Sequence, residues 1–72
     1  MKEQVARNVS ALMLQSVSQL DKTVQIVKEN CDKNEFSTYH KKVGNIMGQV
    51  YCDILTPIYD QYPNLMPDEL KQ

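Results

Sequence analysis

Seventy-two residues with a formal net charge of −1 make one domain at most, close to the lower limit at which a single core offsets chain entropy, so self-association, a metal or a disulfide is an expected aid. The near balance of charge argues against nucleic acid as a principal ligand, because phosphate neutralisation needs a basic patch and the densest one here is His40-Lys41-Lys42. No stretch approaches the ~20 apolar residues of a membrane span, and the run Ala11–Leu14 is broken by Gln15, Ser16, Ser18 and Gln19, so neither a spanning segment nor a signal-peptide core is expected.

From residue 2 to about residue 30, apolar side chains recur at Val5, Val9, Leu12, Met13, Val17, Leu20, Val24 and Val27. Steps of three, four and seven predict an amphipathic helix with one apolar face about 140° wide. Gln4, Arg7, Gln15, Lys22, Gln25 and Glu29 lie opposite. Ser16 and Thr23 intrude at the edge of the stripe, and Leu14 and Ile26 stand off it, with Leu14 expected to be exposed.

Residues 31–34 read as a turn. Asp32 followed by Glu35 has the spacing of a capping box, and Cys31 and Phe36 fall where a hydrophobic staple would place them. Asn34 and Ser37 are the other candidate caps. A connection this short favours antiparallel neighbours, so the expected fold is an all-α helical hairpin occupying residues 1–72 as a single domain.

A second helix is expected over about 35–62. Its polar residues Lys42, Asn45, Gln49, Asp53, Thr56 and Asp60 follow one another at steps of three or four, a strip of only about 80°. The apolar remainder divides into two sectors roughly 100° apart. Phe36, Val43, Met47, Val50 and Ile54 form one, with Tyr39 and Ile46 beside it; Gly44, Gly48, Tyr51, Leu55 and Tyr62 form the other. One helix can cover only one sector. The second therefore predicts a homodimer of hairpins, a four-helix bundle, with Gly44, Gly48, Tyr51, Leu55 and Tyr62 at the interface. The GxxxG at Gly44–Gly48 suits close helix packing. Pro57 removes an amide inside this helix, so a kink near Asp53–Thr56, or a stop and restart, is expected. Pro63 and Pro67 end the helix and frame a tail, 63–72, whose Leu65, Met66 and Leu70 are expected to dock on the bundle.

The run Glu35-Phe36, Tyr39, Val43-Gly44, Met47-Gly48, Leu55, Pro57-Ile58-Tyr59, Pro63 and Pro67 resembles a group of short, uncharacterised bacterial helical-hairpin proteins. The resemblance covers the second half of the chain. It implies a bacterial origin and no particular chemistry.

Catalytic and metal-binding patterns are sparse. His40 is the single histidine, and Phe36, Ser37, Val43 and Gly44 occupy the positions one turn away, so no metal pair forms along the helix. Cys31 and Cys52 would stand about 30 Å apart along the hairpin, too far for a disulfide, and two free thiols fit a reducing, cytoplasmic compartment. Cys52 reads as a small buried hydrophobe beside Tyr51 and Tyr59. No acid–base or nucleophilic pair emerges, and no catalytic residue or cofactor is expected. The expectation is a non-enzymatic interaction or regulatory protein acting as a homodimer, presenting a helical surface or its tail to a protein partner. The alternative is a small-molecule- or metal-binding bundle whose site, around His40, Tyr51 and Cys52, forms only between protomers.

Overall fold

The computed structural model describes residues 1–71; Gln72, the last residue of the predicted tail, lies outside them. All regular structure among them is helical: α1 over Glu3–Asn30, α2 over Lys33–Gln49, a π-helical turn over Val50–Leu55, α3 over Thr56–Gln61, and single 3₁₀ turns at Pro63–Leu65 and Asp68–Leu70. α1 and α2 form the expected hairpin. No helix among the described residues is long and apolar enough to cross a membrane.

The connection between α1 and α2 is tighter than the sequence suggests, two residues rather than four. Cys31 and Asp32 both take extended backbone, and the Cys31 amide closes α1 on the Val27 carbonyl. Asp32 is the N-cap of α2: its Oδ1 accepts from the Glu35 amide at 2.8 Å, satisfying a donor that the first helical turn leaves free. α2 thus begins at Lys33, two residues before the expected start.

Three side-chain hydrogen bonds tie the hairpin at its ends. Near the turn, the Tyr39 hydroxyl donates to Thr23 Oγ1 at 2.7 Å, and the Thr23 hydroxyl in turn donates to the Leu20 carbonyl at 2.6 Å. At the open end, the Tyr62 hydroxyl donates to the Met1 carbonyl at 2.6 Å, and Asn64 Nδ2 reaches Glu3 Oε1 at 3.3 Å.

Pro57 acts as expected in kind, and the form it produces is a π turn. The Thr56 amide reaches back five residues to the Tyr51 carbonyl, and Thr56 Oγ1 donates to that same carbonyl at 2.8 Å. The wider turn relieves the clash that a proline ring makes with the preceding turn of an α-helix. A π turn also takes up about one extra residue, which sets back everything after it by about 100°. That is the angle that separated the two apolar sectors. Leu55 and Tyr62 therefore come round to the face that Val43 and Met47 already present to α1.

The core sits at the open end. Ala6, Leu55, Ile58 and Tyr59 are buried together, with Val9, Met13, Leu14, Tyr51, Leu65 and Met66 among the side chains packed against them. Small residues on α1 make room for this bulk: Ala6 is fully buried, and so is most of Ser10, whose hydroxyl bonds the Arg7 carbonyl at 3.2 Å. The buried face of α1 is accordingly turned from the one the apolar spacing suggests. Leu14 is half-buried against the core, whereas Val5 and Leu12 are exposed. In the tail, Leu65 and Met66 dock as expected, and Leu70 remains exposed.

Among the described residues, Leu55 is the one large side chain that is fully enclosed. Leu55→Ala should cost about 2–5 kcal/mol of stability, the range for truncating a buried leucine. Urea denaturation monitored by circular dichroism measures it; a loss within a few tenths of a kcal/mol would mean that Leu55 does not anchor the core.

Candidate functional site

The five residues expected at a dimer interface do not share one surface. Leu55 is inside the chain and cannot be offered to a partner, a correction that follows from the turn at Val50–Leu55. Tyr51 is half-buried against the same core, and Tyr62 is half-buried with its hydroxyl committed to Met1. Gly44 and Gly48 are exposed, and a Cβ added at either would meet nothing within 4 Å. The expectation that this whole sector lacks cover within the chain is therefore corrected: only its glycine end is open.

His40, Tyr51 and Cys52 are likewise not brought together in one chain. They lie on a single helical run, with Tyr51 and Cys52 about 16–18 Å along it from His40. His40 is exposed and its ring leans on Phe36, centroids 5.5 Å apart at 37°. Cys52 is exposed rather than buried, since the π turn carries Leu55 inward and leaves Cys52 outside. No group of three or more His, Cys, Asp or Glu among the described residues is placed to hold a metal.

Two open grooves flank the interhelical turn. One, of about 460 Å³, lies between Val27, Cys31, Glu35, Tyr39 and Lys42; the other, of about 500 Å³, is walled by Lys28, Cys31, Lys33 and Phe36. Cys31 borders both and is exposed. Its thiol is raised above the ordinary value, first by a hydrogen bond with the Glu35 carboxylate, then by desolvation and by the charges of Glu35 and Asp32. A thiol held protonated in this way is a poor nucleophile at neutral pH. Neither groove contains a buried polar group waiting for a ligand.

The buried side-chain polar atom without a partner among the described residues is the Tyr59 hydroxyl, in the core at the opposite end. Burial, and secondarily Tyr51, pushes its pKa above the usual tyrosine value.

What the chain does present is apolar surface on α1. Val5, Leu12 and Ile26 are 46%, 60% and 61% exposed, and Ile46 on α2 is 48% exposed. Apolar spacing alone assigned Val5 and Leu12 to the core. The signal that locates them outside is the position of small residues: Ala6, one residue round the helix from Val5, packs against the bulky Leu55, Ile58 and Tyr59, and Ser10, one turn on from it, is buried too. No family model, curated protein or solved structure matches the chain.

Because nothing among the described residues opposes a Cβ at either glycine, Gly44→Ala and Gly48→Ala should each stabilise the fold by about 0.5–1 kcal/mol through helix propensity. Denaturant midpoints check this, and a loss of stability would instead reveal a close neighbour on that face. Tyr59→Phe should be neutral or stabilising below pH 10, because the hydroxyl removed has no partner. The folded-state pKa of Tyr59 is raised, so the unfolded chain gives up this proton first. The stability associated with the neutral phenol is complete below about pH 10 and falls as pH climbs from there through the folded value. Wild type should therefore lose stability relative to Tyr59→Phe above about pH 10; melting curves that keep a constant offset across that range would contradict the assignment.

Proposed function

We propose that this chain is a non-enzymatic interaction protein that works as a homodimer, two hairpins forming a four-helix bundle in a reducing compartment such as the cytoplasm. The observation that carries the reading is the amount of surface left over. A compact monomer of 8.3 kDa is expected to expose about 4,600 Å², whereas this chain exposes 5493 Å². The excess, about 900 Å², is close to the ~800 Å² that each partner buries in a standard protein–protein interface.

Shape and core size point the same way. The molecule measures 44 × 22 × 16 Å with a radius of gyration of 14.5 Å, against about 11 Å for a compact chain of this length. One fully buried large side chain among the described residues is a small core, and chains of this size commonly complete theirs by association. The free, exposed thiols Cys31 and Cys52 suit a compartment that keeps thiols reduced. The tail is a weaker recruiting element than the helices, because Leu65 and Met66 are already packed on the core.

Sedimentation equilibrium should give twice the chain mass at micromolar concentrations, and the thermal midpoint should rise with protein concentration as mass action requires. A folded species of single-chain mass throughout the micromolar range, with a midpoint independent of concentration, would sink the reading.

A further inference from the structure

We infer that the pairing surface is an uncharged strip along α1, carried by Val5, Leu12, Gln19 and Ile26, and that its occupant is the same strip of a second copy. The inference rests on the homodimer reading above and adds the face that makes the dimer.

All six charges of α1, on Glu3, Arg7, Asp21, Lys22, Lys28 and Glu29, fall within an arc of about 120° at 100° per residue. The rest of the circumference has none. Part of that uncharged arc is the buried and half-buried face of Ala6, Val9, Met13, Val17, Leu20 and Val24. What remains is solvent-exposed, about 100° wide, and contains Val5, Leu12, Gln19 and Ile26 with the amides of Asn8 and Gln15 alongside. Surface helices of a monomer carry their charge on the solvent side. Here the solvent side is divided into a charged part and a part with no charge at all, and depletion of charge with apolar residues at the centre is the composition of an interface core.

The spacing says what kind of partner fits. Residues seven apart drift only about 20° per step, so the four form one nearly straight row along a helix about 42 Å long. That is the seam along which two α-helices wind around each other. The partner must then be a long helix with an uncharged row of the same period, and α1 of a second copy is such a helix. A two-fold axis lays the strip on itself without bringing like charges together. Ile46 extends the surface across the hairpin seam. The Tyr39–Thr23 hydrogen bond sets that side of α2 against the edge of the strip, and Ile46 follows Tyr39 by two turns on the same side. The leftover area, about 900 Å² above a compact monomer, is what one side of such a pairing removes from water.

The experiment compares wild type with Leu12→Glu, Ile26→Glu and Gly48→Glu by sedimentation equilibrium, with helicity followed by circular dichroism. Leu12 and Ile26 are mostly exposed in the protomer, so glutamate there leaves the core in place. Each strip variant should raise the dimer dissociation constant about a hundredfold, and Gly48→Glu should change it by less than about threefold. Because association and folding are linked, a second readout uses intact dimers. In a Cys31→Ser, Cys52→Ser background, spin labels on Gln19→Cys of the two protomers should lie within about 20 Å of each other, and labels on Ser18→Cys, on the charged side, farther apart than those on Gln19→Cys. Strip variants that dimerise like wild type, or Gln19 labels beyond about 30 Å in a dimer, would overturn the assignment of this face while leaving the homodimer standing. A monomeric wild type would overturn both.

Discussion

Pro57 has no amide hydrogen, and its ring does not fit over the preceding turn of an α-helix. The chain answers by widening the turn over Val50–Leu55, where the Thr56 amide and hydroxyl both bond the Tyr51 carbonyl. The register of everything beyond depends on that turn. Without the extra residue, Leu55 and Tyr62 would face about 100° away from α1, and the cluster of Ala6, Leu55, Ile58 and Tyr59 would not assemble. The docking of Leu65 and Met66 and the Tyr62–Met1 hydrogen bond depend on the same rotation.

The core that results is concentrated at one end. Small residues on α1 face bulky ones on the far side of the π turn, while the hairpin end relies on Val24, Val43 and the relay from Tyr39 through Thr23 to Leu20. No ion pair joins α1 to α2 among the described residues; the one present, Lys71 to Asp68 at 3.6 Å, is local to the tail. Hairpin cohesion is therefore a matter of apolar contact, two tyrosine hydroxyls and the Asn64–Glu3 hydrogen bond. A fold held this way has little capacity to bury more of α1, which is why Val5, Leu12 and Ile26 remain outside.

This distribution bears on function. The chemically capable side chains are dispersed: His40 against Phe36 on the surface, Cys31 beside the carboxylate that keeps it protonated, Cys52 outside the π turn, Tyr59 sealed in the core. None is poised against another. Surface is what the molecule has in excess, and the proposed pairing through α1 would convert that excess into the second half of a core.

Much of the architecture was legible in the sequence. Periodicity marked two long helices, the Asp32–Glu35 spacing located the cap, and Pro57, Pro63 and Pro67 placed the irregular turn and the tail, because each signal acts through the local backbone. Periodicity could not say which way the faces point. Whether a proline kinks a helix, stops it or opens a π turn depends on which outcome buries more, and that is settled only when Leu55, Ile58 and Tyr59 meet Ala6. The same contact shifted the buried face of α1 by about half a residue's rotation, exchanging Leu14 for Val5 and Leu12 at the core while Val9, Met13, Val17 and Val24 stayed covered, and it took Leu55 away from the surface that spacing assigns to a partner. The sequence by itself determined the helices and their breaks, which are local properties of the chain; only the tertiary structure decided which side chains are covered, because burial is a property of pairs of surfaces and the extra residue of the π turn exchanges one set for another beyond it.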